Sequence, residues 1–269
     1  MTFLKQFNIG FSTWSKSWSF IRKNGLSHFF IYPILVSVTL FFGTTRIIKM
    51  MIETLMTWVN EYFGVIEGDA FDSFTNFFAQ LGTSIIEISA WALSLIVFWK
   101  ISKYVTLALM SPVMSLLASR AQEKINGETI PFNFHDFISD IGRGVALSFR
   151  NLFAELGMNL LLFLINVIVG FVFAPLDLIL SPLSWVISLL ISAYYSGFST
   201  MDYAMENKRY SYSKSVKFIR KNSGLAVGNG LPYALLFRIP FFGPSLVIVT
   251  CTVAGVLILN NTEAHNKID

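Results

Sequence analysis

Two apolar stretches joined back to back set the terms for this chain. Leu152 to Phe173 and Leu178 to Thr200 are almost unbroken aliphatic and aromatic sequence, separated by Ala174-Pro175-Leu176-Asp177. Each reaches the roughly 20 residues that carry an α-helix across a bilayer core. The Pro/Asp break turns the chain back, with Asp177 placed to cap the second helix. Only lipid accommodates such a unit, because there the backbone satisfies its own N–H and C=O groups by forming helices. Composition points the same way: of 269 residues 54% are hydrophobic and 13% charged, against about 25% charged in soluble domains. Mean hydropathy is +0.60, and the 27 Phe outnumber all 20 Lys and Arg. That excludes a soluble single domain and a disordered chain alike. The lone Cys251 allows no intramolecular disulfide and no multi-cysteine metal site.

The same reading extends along the chain. Leu26 to Phe42, prolonged by Ile47-Ile48-Lys49-Met50-Met51, makes a first span over 26–52. Leu81 to Met110 makes a second over 81–110, with Lys100 and Lys103 marking its exit. Residues 151–200 form the first hairpin. Leu225 to Arg238 and Ser245 to Leu259 form another over 225–260, broken by Ile239-Pro240-Phe241-Phe242-Gly243-Pro244. The arms of this last hairpin reach only about 21 to 23 Å, short of a hydrocarbon core of about 30 Å, so part-way insertion is expected. The fold class is therefore all-α and polytopic: a single membrane domain over 1–269 with two long transmembrane helices, two helical hairpins of which the last is short enough to be re-entrant, and amphipathic interfacial helices. The start, running from Phe3-Leu4-Lys5 into polar Ser12-Thr13-Trp14-Ser15-Lys16, does not read as a cleavable signal.

Charge gives the expected orientation. Residues 1–25, an interfacial helix, carry Lys5, Lys16, Arg22 and Lys23 and no acid; residues 100–150, which include the helical segment 111–150, carry six basic side chains, and 201–224 carry Lys208, Arg209, Lys214, Lys217, Arg220 and Lys221. The loop over 53–80 carries Glu53, Glu61, Glu67, Asp69 and Asp72. The positive-inside rule puts the three basic segments and both termini, including the tail 261–269, in the cytoplasm, with the acidic loop outside. In that loop Phe71, Phe74, Phe77 and Phe78 recur at helical spacing, which predicts an amphipathic helix on the outer face.

Residues 15–24, Ser-Lys-Ser-Trp-Ser-Phe-Ile-Arg-Lys-Asn, return at 213–222 as Ser-Lys-Ser-Val-Lys-Phe-Ile-Arg-Lys-Asn, eight of ten positions identical, and Gly-Leu follows each copy. Two readings stand. The copies anchor in the interface with their cations toward phosphate headgroups, or they form two cationic collars that draw an anion toward a path between the hairpins.

Enzymatic constellations are missing. His28, His135 and His265 are scattered, and no His-Glu-x-x-His, Gly-x-Ser-x-Gly or Gly-x-x-x-x-Gly-Lys sequence occurs. Neither a metal nor a cofactor is expected. Glu123, Glu128, Asp136 and Asp140 lie among Lys124, Arg143 and Arg150 and read as a charge-balanced solvated face. The pI near 9.1 comes from membrane-flanking cations, so nucleic-acid binding is not expected. Ionisable groups inside apolar runs say more, since lipid-exposed charge costs several kcal/mol. Glu155, Asn159 and Asn166 share one helical face that must point inward; Glu87 with Ser84 and Ser94 forms another polar stripe. Either these fix helix packing through hydrogen bonds or they line a substrate or proton path. Ser111-Pro112 reads as the start of a new helix over Pro112 to Lys124, by ordinary capping or with free N–H groups that favour an anion.

A basic helix, a long span, an acidic outer loop, a second span ending in Pro112 and Ser115-Leu116-Leu117-Ala118-Ser119, then two hairpins separated by Asp202-Tyr203: this order resembles the CysZ-type sulfate permeases and the etoposide-induced-protein domain family. The family's Gly-Leu-Leu-Ala-Glu stretch corresponds to Ser115 to Ser119, and the position of its paired arginines holds Ser27-His28, with Arg22 and Lys23 one helical turn back. The resemblance implies an inner-membrane, oligomeric, all-helical permease that moves sulfate inward for cysteine synthesis. On it the expected substrate site follows. Arg22, Lys23, Arg220 and Lys221 draw the anion in; the Pro112 to Leu117 turn, with Ser115 and Leu116, coordinates it through backbone N–H groups; and Arg238 offsets charge further along. The alternative is a non-transporting membrane organiser whose basic helices bind anionic lipid. The expected partners are thus a small anion, membrane lipid and a second copy of the chain.

Overall fold

Helices account for nearly all of the described residues. The computed structural model describes residues 1–62, 84, 88, 102–127, 134–239 and 242–266, and all regular structure among them is helical. Helix α1 is Phe3–Lys23, followed by a 3-10 turn over Leu26–Phe30 and by α2, Ile31–Tyr62. Helix α3 is described over Ser102–Asn126. Then come α4 (Phe134–Val172), α5 (Ala174–Asn207), α6 (Tyr212–Lys221), α7 (Ser223–Leu236) and α8 (Phe242–Asn266). Among the described residues five helical segments are long and apolar enough to cross a membrane: Leu26–Leu55, Ser102–Asn126, Ile141–Val172, Leu178–Asn207 and Phe242–Thr262. The polytopic all-α class is borne out. The outer-loop phenylalanines, Glu87 and Ser94 lie outside the described residues.

The chain forms two compact units, Val38–Ser102 and the remainder, Met1–Ser37 with Lys103–Asp269. In the first, α2 buries Ile48 and Ile52 on one face and exposes Phe41, Phe42, Met50, Met51 and Trp58. An exposed membrane helix of this kind has lipid, not water, to satisfy.

The larger unit is organised around α7. This 14-residue helix is about 21 Å long, and small residues let its neighbours approach to backbone contact. A Cβ on Gly230 would lie 1.9 Å from the Ala193 carbonyl oxygen, and one on Gly197 would lie 1.9 Å from that of Ala226. The pairs Ala193/Gly197 on α5 and Ala226/Gly230 on α7 are thus two small-xxx-small stripes in contact, the packing mode that replaces hydrophobic burial inside a bilayer. On its other side α7 runs in the same direction as α1, with Gly224 against Phe3 and Gly228 against Phe7 and Phe11. Helix α8 completes the surround. Asn229 of α7 donates to Thr200 Oγ1 on α5 (3.2 Å) and to the Cys251 carbonyl on α8 (3.1 Å), and Trp14 Nε1 of α1 donates to Thr250 Oγ1 on α8 at 2.9 Å. The Pro/Gly break at 239–244 divides α7 from α8 as expected.

Three local expectations are corrected. Helix α3 passes through Ser111-Pro112 without a break; Pro182 and Pro232 also sit inside helices. In lipid a proline need not stop a helix, and α3 is further tied to α5 by the Tyr203 hydroxyl, which donates to the Leu107 carbonyl at 2.8 Å. In the first hairpin Phe173, not Asp177, precedes the second helix, Pro175 sits in its first turn, and Asp177 falls inside it. Lys103, expected to mark an exit to water, is buried, because Glu155 on α4 pairs with it.

Candidate functional site

The inward face of the first hairpin carries a polar ladder. Asn151, Glu155, Asn159 and Asn166 on α4 meet serines on the antiparallel α5. Asn151 donates to Ser199 Oγ at 2.9 Å, Ser188 donates to Asn159 Oδ1, and Ser184 donates to Asn166 Oδ1 at 3.1 Å. Asn159 and Asn166 also donate to the carbonyls of Glu155 and Leu162, four residues back, at 2.7 and 2.8 Å. The expectation that Glu155, Asn159 and Asn166 point inward therefore holds.

At Glu155 the ladder becomes charged and gains a third helix. Lys103 Nζ of α3 pairs with Glu155 Oε2, and the two side chains expose only 6% and 1% of their surface. Lys103 also donates to Ser192 Oγ on α5 at 3.1 Å and sits 4.6 Å from the centroid of the Tyr104 ring. Tyr104 donates its hydroxyl to the same Glu155 oxygen at 2.6 Å. Each charge thus has its counter-charge and further hydrogen bonds, the condition on which an ion pair survives in a low-dielectric interior. The cluster places an ammonium and the Tyr104 hydroxyl around one carboxylate oxygen, with Ser192 accepting from the ammonium. That donor set would hold any small oxyanion equally well.

Towards the start of α4 a second pair fixes the helix that carries the second repeat copy. Arg143 is bidentate to Asp202 of α5, through Nε at 3.1 Å and Nη2 at 2.7 Å. Its Nη2 also reaches Ser215 Oγ at 2.7 Å, and its Nη1 the Tyr210 carbonyl. Asp202 thereby gains a role that sequence alone did not give it: through Arg143 it ties α6 to the helix core. The planar fork of arginine suits such a junction, since one guanidinium serves several acceptors in a fixed geometry.

Between the two pairs lie Tyr194 and Tyr195 of α5, their rings edge-on at 5.1 Å. The guanidiniums of Arg150 and Arg220 act electrostatically on both hydroxyls. Tyr195 is also within the field of Glu155, which connects this region to the buried ion pair.

The expected site residues distribute unevenly. The two repeat copies are equivalent in their packing: Ser17 and Ile21 of one and Ser215 and Ile219 of the other are buried, while Arg22, Lys23, Arg220 and Lys221 are exposed. Asn24 and Asn222 close both copies in the same way, each side-chain amide donating to the carbonyl four residues back, at 2.8 and 3.0 Å. The two cation pairs do not form one collar. Gln6, near the start of α1, donates to the Lys221 carbonyl at 3.4 Å, whereas Arg22 stands about 24 Å further along the same helix at 1.5 Å per residue. Arg238 is exposed just beyond α7. Pro112, Ser115, Leu116 and Leu117 lie within the uninterrupted α3, so they offer no free N–H turn to an anion. Ser115 and Leu117 are buried and Leu116 is half exposed. The Ser115 carbonyl accepts from Ser119 Oγ (3.1 Å) and from Asn207 Nδ2 (3.3 Å), which makes this stretch a packing seam between α3 and α5. Sequence reasoning missed Lys103, Tyr104 and Arg150. The serines 184, 188 and 192, each four apart, were the readable signal for the α5 side of the ladder.

The family comparison agrees with this architecture: the family described as Sulfate transporter CysZ/Etoposide-induced protein 2.4 matches residues 13–247. The chain belongs to this family. The match runs from within α1 into α8 and so takes in both repeat copies, the first hairpin, α7, and the Lys103–Glu155 and Arg143–Asp202 pairs. Membership in the CysZ/etoposide-induced family makes this a membrane protein of a sulfate-transporter family, as the order of its parts had implied.

Proposed function

We propose that this protein is a permease or channel of the cytoplasmic membrane that passes sulfate or a related small oxyanion inward, towards sulfate assimilation. The observation that carries the reading is the Lys103–Glu155 pair, buried among segments apolar enough to span a bilayer and bonded to Tyr104 and Ser192. Charge in such a place marks an ion path more often than a packing device. Lys103 would receive the anion in exchange for Glu155, and Arg220 and Lys221, at the cytoplasmic end, would act on it as it leaves. Arg22, Lys23 and Arg238 belong to the other end of α1 and α7, where they would gather the entering ion. In this reading the protein is not an enzyme, both termini are cytoplasmic and copies of the chain associate. With no nucleotide-binding loop, the ion would follow its own gradient or move with protons.

The exposed cations of both repeat copies favour a second reading, a membrane organiser held by anionic lipid. Purified protein reconstituted in vesicles separates the two. A permease gives saturable, protein-dependent sulfate uptake that Arg22→Ala/Lys23→Ala slows while leaving the protein in the membrane. An organiser gives no flux, and the same substitutions weaken its binding to phosphatidylglycerol.

A further inference from the structure

Among the described residues the Arg150 guanidinium has neither a hydrogen bond nor an ion pair to the protein, whereas Arg120 and Arg143 both have carboxylate partners. It projects from α4 into an aromatic slot, 5.3 Å from the Phe198 ring of α5 and 5.7 Å from the ring of Tyr212, the first residue of α6. Its Nη1 is closed off from solvent and has no acceptor, while the side chain as a whole stays partly exposed. The two rings stabilise the cation. They do not supply the acceptor that a buried N–H requires.

Depth, surroundings and charge together say which anion completes the slot. Arg150 stands two residues before the apolar run Leu152 to Phe173, the level at which a spanning helix leaves hydrocarbon and meets headgroup phosphates. Helix α6, which has four cations and no acid, is pinned beside it by Arg143, whose Nη2 donates to Ser215 Oγ at 2.7 Å. Phe149 and Phe153, on either side of Arg150 along α4, are 54% and 68% exposed, and Tyr212 is 44% exposed. The slot is thus bordered by apolar surface that faces lipid. The charge available is single: Arg143 is neutralised by Asp202, and Lys214, the first cation of α6, rests on the Tyr210 ring at 3.8 Å. One guanidinium matches a phosphodiester, which carries one negative charge, and would leave the second charge of a free sulfate unanswered. We infer that Arg150, in the slot between Phe198 and Tyr212, binds the phosphodiester of an anionic phospholipid. Two N–H groups of its planar fork meet two phosphate oxygens, and the acyl chains run along Phe149 and Phe153. Arg150 lies outside both repeat copies, so this site is distinct from any general attraction of lipid by their cations.

The test titrates phosphatidylglycerol, and separately phosphatidylcholine, onto delipidated full-length protein in detergent and counts bound lipid by native mass spectrometry. Wild type is compared with Arg150→Gln, Arg150→Lys and Lys217→Gln. Lys217 is exposed on the same basic helix and controls for the loss of one positive charge. Wild type should hold a first phosphatidylglycerol more tightly than phosphatidylcholine. Arg150→Gln should weaken that first site about tenfold or more, and Lys217→Gln less than about twofold. Arg150→Lys keeps the cation among the rings, and with it the fold, but lacks the fork and should fall between the two. An Arg150→Gln loss no larger than that of Lys217→Gln overturns the inference. So does an Arg150→Lys variant as tight as wild type, or a wild type that holds both lipids equally. Displacement of the lipid by sulfate, but not by chloride at equal ionic strength, would identify a soluble-anion site and overturn the lipid assignment. Binding of lipid here is independent of uptake, so the transport reading stands or falls on its own assay.

Discussion

Replacing Lys103 by Met is the perturbation whose outcome the structure fixes most tightly. The substitution removes the ammonium paired with the Glu155 carboxylate, which is 1% exposed, while Tyr104 still donates to it. Removing one member of a buried ion pair costs about 3–5 kcal/mol, and in a chain of this size each kcal/mol moves the midpoint by about 2–4 °C. Thermal unfolding of the purified protein in detergent, followed by tryptophan fluorescence, should therefore show a fall of roughly 6–20 °C. Glu155→Leu alone should fall by a comparable amount, since it strands the ammonium. The double variant Lys103→Met/Glu155→Leu should recover to within about 2 kcal/mol of wild type, because both charges go together and apolar volume replaces them. A Lys103→Met midpoint equal to that of wild type, or a double variant that loses the sum of both single losses, would refute the claim that these groups neutralise each other in the membrane interior.

Other outcomes follow from the same geometry. Gly230→Ala puts a Cβ 1.9 Å from the Ala193 carbonyl oxygen; overpacking at a backbone contact costs about 1–3 kcal/mol or more, seen as a lowered midpoint in the same unfolding assay. Asp202→Asn removes the charge that holds Arg143, and trypsin should then cut α6 at Lys214, Lys217 or Arg220 several-fold faster than in wild type, with the fragments read by mass spectrometry. Asn159→Leu takes out one rung of the ladder and should cost only about 0.6 kcal/mol, a shift of at most a few degrees. Cys251 is buried and donates to the Asn229 carbonyl at 3.2 Å, so the native chain should resist maleimide. A cysteine placed at Lys217 should then be labelled by a membrane-impermeant maleimide from the cytoplasmic side alone.

Much of the fold could be read directly, and the misses share a cause. Apolar run length marks helices in lipid because hydrocarbon tolerates nothing else, which is why the turn between α4 and α5 and the short α7 emerge close to where they were expected, while α4 itself starts well before the apolar run, at Phe134. Glu155, Asn159 and Asn166 were legible for a related reason: polar groups in an apolar run have to share the face that meets protein. Pro112 was misread because the stop rule for proline belongs to helices in water, whereas neighbouring helices keep α3 continuous through it. Lys103 looked like a boundary residue because its partner lies on another helix; a pairing across helices leaves no trace in local pattern. Arg150 was hidden in the same way, its aromatic slot being assembled from α5 and α6. The doubled Ser-Lys-Ser motif correctly announced two equivalent helices, but it said nothing of the length of α1 that holds their cations apart.

Sulfate uptake by vesicles containing the double variant Lys103→Met/Glu155→Leu bears most directly on the central claim, that an oxyanion passes by way of the buried ammonium and carboxylate. The protein should fold, insert and unfold near the wild-type midpoint, while its uptake falls at least tenfold below that of wild type measured in the same lipid. Uptake at the wild-type rate would show that the ion travels elsewhere and that the pair serves only to hold α3 against α4.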